Sequence, residues 1–145
     1  MSPRFAGPPL GVRLASTAKV VSRAFDDALS AAGGSRPTWM VLMSLKSRPV
    51  ANQRELAAAV GIQGATLTHH LNTMEADGLL TRRRDPANRR VHLVELTEAG
   101  EAAFERMRGA ALNFDSRLRA GFSAEQLTEF GDFLEQLQRN VTVSS

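Results

Sequence analysis

Apolar residues recur every three or four positions through most of this 145-residue chain, and each break in the spacing falls on glycine, proline or small polar residues. From Leu10 to Ala32 the positions Leu10, Leu14, Ala18, Val21, Phe25, Ala28 and Leu29 make one face of an amphipathic helix of about six turns at ~3.6 residues per turn. Gly33-Gly34 stops it. Ser35 suits an N-cap and Pro37 a first turn, where no backbone donor is required. Trp39, Met40, Val41, Leu42, Met43 and Leu45 then make a core helix, ended by Pro49. Asn52 and Glu55 have capping-box spacing, with Asn52 accepting from an orphan N–H and Glu55 reaching back. The helix they open buries Leu56, Ala57 and Val60 and breaks at Gly61. Ile62 to Asp77 resumes helical spacing with Leu67, Leu71 and Met74 inward, flanked by Ile62 and Leu79.

After Gly78 the period changes. Residues 79–84 and 91–96 read as two strands, and alternation leaves open whether Val94 and Leu96 or Val91 and Leu93 face inward. The connection from Asp85 to Arg90 is a compact turn, with Pro86 presetting a bend and Asn88 tolerating one. Thr97 caps a fifth helix, opened by Glu98 and Glu101 against its N-terminal dipole. Ala99, Ala103, Phe104, Met107, Ala111, Phe114 and Leu118 are its apolar positions, and Gly121 ends it. Ser123 and Gln126 form a capping box for a sixth, carried by Leu127, Phe130, Phe133, Leu134, Leu137 and Val141. Helix, tight turn, helix and hairpin make a winged helix-turn-helix, so the fold expected is mainly α with a small β-hairpin wing. The terminal helices hold more Phe and Leu than so small a reader needs for its own core, which suits a partner.

Charge sharpens this picture by its position. The net charge is only +3, yet sixteen of eighteen basic residues are arginine. Five of them, Arg82, Arg83, Arg84, Arg89 and Arg90, crowd the tip of the hairpin, where Asp85 is the only acid between the first and the last. Arginine on a protruding hairpin suits phosphate or a minor groove, where the potential is most negative; the plainer alternative is a solvated basic hairpin. The outward set on the fourth helix is small and polar: Gln63, Gly64, Ala65, Thr66, Thr68, His69, Asn72 and Thr73. A merely solvated helix face more often carries Glu and Lys, whereas such a face can approach base edges closely.

The chemistry left out narrows the function. There is no cysteine, so no disulfide, thiolate zinc site or thiol redox sensor is expected. His69 and His70 point roughly 100° apart on a helix and have no third ligand at metal spacing. No phosphate loop, HExxH or GxSxG motif occurs, so neither enzymatic activity nor a cofactor is expected. No apolar run approaches the ~20 residues of a membrane span, and the start lacks an apolar signal core. The expectation is a cytoplasmic protein that does not engage a membrane.

On Glu55-Leu56-Ala57 through Gly61-Ile62, Leu67, Leu71, Met74-Glu75, Gly78-Leu79-Leu80, Arg83, Asp85-Pro86, Arg90, Leu96-Thr97 and Gly100, the chain resembles the MarR family of transcriptional regulators. The resemblance implies a homodimer on double-stranded DNA with a palindromic operator, most often a repressor relieved by a small aromatic or phenolic effector. It implies a DNA-binding domain over 35–97 and dimerisation helices over 10–34 and 98–145; Pro3, Gly7, Pro8 and Pro9 make 1–9 a flexible N-terminus, and the length of the chain suits one compact unit overall. DNA-binding residues would then be Gln63, Ala65, Thr66, Thr68, His69 and Thr73 on the fourth helix, with Arg83, Arg84, Arg89 and Arg90 on the wing. Arg90 matches the family's wing-tip arginine. The family's orienting aspartate is replaced by Asn88, so that support is absent or comes from Asp85. His69 and Thr73 stand where the family often has basic residues, which shifts charge contact toward the wing. Phe25, Trp39 and Met43 are the effector-site residues the resemblance suggests, against a purely core role. The competing class is a winged helix that binds protein instead of DNA.

Overall fold

The computed structural model describes residues 6–142; the first five positions of the segment expected to be flexible over 1–9 lie outside the described residues, as do 143–145. The elements run α1 (Leu10–Ala31), α2 (Arg36–Ser47), β1 (Val50–Asn52), α3 (Gln53–Val60), α4 (Gly64–Ala76), β2 (Leu80–Arg84), β3 (His92–Leu96), α5 (Glu98–Arg119) and α6 (Ala124–Val141). The chain divides into two compact units, Met1–Ala111 and Leu112–Ser145, with the division inside α5.

The first unit holds the core. Leu42 and Leu45 of α2, Leu56 of α3, Leu67 and Leu71 of α4, Leu80 of β2 and Val94 of β3 are all excluded from solvent. Burying a leucine side chain is worth about 1.5–3 kcal/mol, so this cluster fixes how the short elements meet. Trp39 stacks on Phe104 of α5 with ring centroids 5.4 Å apart. Lys46 caps that stack, its Nζ lying 5.3 Å from the Phe104 centroid and 2.8 Å from Glu101.

The sheet differs from the expected hairpin by a third strand. β1 pairs antiparallel with β3, giving the order β1-β3-β2. Val94 sits opposite both Ala51 and Arg82 and is fully buried. That resolves the parity of the wing: Val94 faces in and His92 and Glu95 stay exposed.

Local signals explain the boundaries. Ser35 accepts from the Thr38 N–H, and Asn52 Oδ1 accepts from the Glu55 N–H at 2.8 Å. Glu55 does not reach back to the Asn52 backbone, as the box spacing suggested. Its carboxylate accepts from the Asn52 side-chain amide at 2.7 Å and pairs with Arg48. Asn52 is already the last residue of β1, opposite Leu93, so its backbone lies in a ladder. Gly61 turns the chain between α3 and α4 with φ 75°, a left-handed conformation that glycine adopts without steric cost.

α5 starts from a lock on the end of α4. The Thr97 hydroxyl donates to the Gly78 carbonyl at 2.5 Å and accepts from the Gly100 N–H at 3.0 Å. The Thr97 N–H donates to the Leu79 carbonyl at 3.1 Å. Gly100 passes so close that a Cβ there would lie 2.0 Å from the Leu79 oxygen.

Within α1 only Leu29 is buried, and Leu10, Val12, Leu14 and Val20 are exposed. The second unit contains the end of α5 and all of α6. Ser123 and Gln126 close the expected capping box at 3.1 and 2.9 Å. No α6 side chain is buried, and Phe130 and Phe133 are 56% and 58% exposed.

The backbone contact at Gly100 carries a prediction. Gly100→Ala cannot be absorbed by a side-chain shift, so the first unit loses about 1–3 kcal/mol, the range for overpacking. Urea denaturation checks it; an unchanged midpoint would mean the start of α5 is free to move away from Leu79.

Candidate nucleic-acid interface

Two surfaces carry the residues expected to act, the outer face of α4 and the hairpin of β2 and β3. On α4, Leu67, Leu71 and Met74 are buried, which turns Ala65, Thr66, His69, Asn72 and Thr73 to solvent. Gln63 is the residue before the helix, and its side chain makes no capping bond. His69 and His70 lie side by side with ring centroids 5.8 Å apart. Among the described residues no group of three or more His, Asp or Glu could hold a metal ion.

Thr68 and Thr73 are less free than their place on the helix suggests. The Thr68 hydroxyl donates to the Gly64 carbonyl at 2.9 Å and accepts from Gln53 Nε2 at 2.6 Å. Its one proton is spent, and it bolts the start of α3 to α4. Thr73 donates to the His69 carbonyl one turn back at 3.2 Å, a common use of threonine within helices.

The hairpin sorts its arginines by strand parity. Leu80, Arg82 and Arg84 share one face of β2 and Thr81 and Arg83 the other, because side chains alternate along a strand. Arg82 is therefore drawn inward, with its side chain only 20% exposed. It donates to Asn72 Oδ1 at 2.5 Å and to Glu75 Oε1 at 3.0 Å, while its backbone N–H donates to Glu75 Oε2 at 3.1 Å. This strut joins the wing to α4. Hydrogen bonding and charge from Arg82 hold the Glu75 carboxyl below its ordinary value of 4.5, against a smaller opposing effect of burial.

Arg84 donates to the Arg89 carbonyl at 2.9 Å, closing the hairpin end. Asp85 and Asn88, expected to orient a wing arginine by charge, shape the backbone instead. Asp85 accepts from the Ala87 N–H at 2.9 Å, and Asn88 from the Arg90 N–H at 3.2 Å. The guanidinium groups of Arg83, Arg89 and Arg90 are exposed and have no hydrogen-bond or ion-pair partner among the described residues.

A groove of about 670 Å³ lies between the start of α3, the start of α4 and the foot of the wing. Gln53, Arg54, Gly64, Thr68, Arg90 and His92 line it, so it brings two arginines to the helix-turn-helix. Of the three residues suggested for an effector, Trp39 is occupied by its stack on Phe104, Phe25 is half-buried against the core, and Met43 is exposed. No described helix is long and apolar enough to cross a membrane.

Arg82, grouped by sequence with the outward arginines of the hairpin, turns inward to Glu75 and Asn72, and Gln53 and Arg54 join the site without having been expected there. Arg82 had a signal in its shared parity with Leu80, obscured because Leu79 is apolar too. Gln53 and Arg54 gave none, since their approach to α4 and the wing depends on the turn at Gly61.

Residues 35–92 match the sequence model of the MarR family. An uncharacterised HTH-type transcriptional regulator of Bacillus subtilis, YdgJ, is 32% identical over 90 residues, 62% of this chain. The match spans 55%, about half, of that relative's length. Among solved structures, the transcriptional repressor CouR bound to a 23-mer DNA duplex is 26% identical, with TM-score 0.80 over 90% of this chain and 92% of that one. The PcaV regulator of Streptomyces coelicolor, in complex with its natural ligand, shares the fold at 21% identity, with TM-score 0.77 over 95% of this chain and all of that one.

The strut predicts a pH dependence with a definite sign. A carboxyl whose folded value is lowered adds stability above its unfolded value and loses it as the pH falls through the folded one. The wild type therefore loses more stability than Glu75→Gln as the pH drops below 4.5. Thermal unfolding of both proteins across that range checks it, and parallel curves would remove the Glu75 contribution.

Proposed function

Because residues 35–92 match the sequence model of the MarR family, we propose that the chain is a DNA-binding transcriptional regulator of that family, a homodimer that sits on a palindromic operator in the cytoplasm and represses until a small aromatic or phenolic ligand releases it. One observation carries the reading. Three unpartnered arginines, Arg83, Arg89 and Arg90, project beside a helix face with almost no charge of its own. That division suits major-groove discrimination by α4 and minor-groove or phosphate affinity from the wing. CouR, of the same fold, has been seen on a DNA duplex.

In this reading Ala65, Thr66 and His69 are the α4 residues that meet bases, with Gln63 and Thr73 at the margins of the same surface. Thr68 contributes by holding α4 in place, its hydroxyl proton being committed to Gly64. Arg84, Asp85 and Asn88 set the shape of the wing, and Arg54 joins Arg90 at the groove below it.

A partner copy is supported by apolar surface that the chain leaves open. Leu10, Val12, Leu14 and Val20 on α1, and Phe130 and Phe133 on α6, are large hydrophobic side chains in water. Two copies must hold their α4 helices about 34–36 Å apart to meet successive major-groove faces. An effector acts only if it binds one spacing better than another. Phe25, Trp39 and Met43 are its proposed contacts; PcaV, which shares the fold, has a natural ligand.

Affinity for duplex DNA selected from a random or genomic pool should fall steeply with salt, because phosphate contacts release counterions. Arg90→Ala should weaken it by a few kcal/mol at most and flatten the slope of log K against log salt by about 1 per lost contact. Binding that ignores salt, or no binding to any duplex, would favour a protein-interaction role. Light scattering should give twice the chain mass; a stable monomer at micromolar concentration would remove the dimer.

A further inference from the structure

Ala65, His69, Asn72 and Ala76 follow one another at intervals of four, three and four along α4, and all are exposed. At ~3.6 residues per turn they form a single row, opposite the buried Leu67, Leu71 and Met74. Asn72 therefore stands in the row that the proposed reading turns toward base edges. It differs from its neighbours in being held. Arg82 reaches across from the wing and donates to Asn72 Oδ1 at 2.5 Å, while Glu75 fixes Arg82 through both its guanidinium and its backbone N–H.

Arginine has five N–H donors and no acceptor, so this contact admits only one orientation of the asparagine amide. The oxygen must face Arg82, and the Nδ2 protons face away. An asparagine that recognises adenine uses both ends of its amide, accepting from N6 and donating to N7. Here the accepting end is taken within the protein. What Asn72 offers outward is a donor, on a helix that is otherwise uncharged at its outer row.

We propose that Asn72 is a donor-only specificity residue, selecting a major-groove base edge made of acceptors, guanine O6 and N7 or thymine O4, over adenine, whose edge sets an N6 amino group, donor to donor, beside its one acceptor N7. The inference rests on the DNA-binding reading above and adds a residue to it. Arg82 and Glu75 are positioning residues in this scheme: they touch no base and set which end of Asn72 does.

Selection of bound duplexes from a random pool, with the full-length wild type, Asn72→Ala and Asn72→Asp, tests it. The wild type should select guanine or thymine at one position of each half-site, and the selected sequences tell the two apart. Asn72→Ala should lose the preference at that position alone and bind the selected site roughly tenfold more weakly. Asn72→Asp keeps a partner for Arg82 but presents only acceptors, so the preference should move to cytosine or adenine, whose amino groups donate. Alanine in an exposed helical position favours the helix and aspartate is about level with asparagine, so both variants fold. Adenine at that position in the wild-type sites overturns the proposal. So does an Asn72→Ala variant that weakens all sequences alike, the mark of a phosphate contact, or one that alters nothing. A wild type that binds no duplex overturns instead the reading on which the proposal rests.

Discussion

Strand β3 is the constraint on which the helix-turn-helix depends. It has a neighbour on each side, and each neighbour is joined directly to one half of the helix-turn-helix. β1 ends at Asn52, which caps α3, and β2 follows α4 by a short turn. Val94 plugs the middle of this arrangement from the strand that touches both. The hairpin is therefore no appendage on a finished domain. Its register sets where α3 begins and how the wing stands relative to α4, and a slip of one residue would turn Val94 to solvent and expel the core face of the strand.

The arginines then acquire different work from nearly identical sequence. Arg82, Arg83 and Arg84 are consecutive, yet one is a strut to α4, one is free and one closes the hairpin. The strut is partly shielded, so its charged hydrogen bonds are screened less than an open surface pair. The guanidinium groups of Arg83, Arg89 and Arg90 stay exposed and unpaired among the described residues. Two bolts from opposite sides, Gln53 to Thr68 and Arg82 to Asn72 and Glu75, leave the outer row of α4 presented on a supported helix.

Much of this was legible in advance because it rests on local chemistry. Helix starts at Ser35, Asn52, Thr97 and Ser123 could be read from capping residues, and the inward stripe of α4 from spacing alone. β1 was not legible: three residues after Pro49 are too short to show alternation, and they become a strand only because β3 passes beside them. The inner face of the wing was ambiguous for a similar reason, since apolar residues occupy both parities of β3. The separation of unpartnered arginines from structural ones is a tertiary fact. It depends on Glu75 and Asn72 arriving from a different element, and Glu55 shows the same limit, taking Arg48 and the Asn52 side-chain amide where the local motif pointed to the Asn52 backbone.

The outer row of α4 also divides into residues the fold uses and residues it does not. Ala65 and Thr66 are exposed, and neither side chain makes a hydrogen bond or ion pair among the described residues. Exposed sites of that kind usually tolerate replacement within ~0.5 kcal/mol. Thr68 and Asn72, by contrast, are built into the bolts. Divergence among descendants of this chain can thus retune one end of the helix without loss of folding, while the other end is inherited together with the wing.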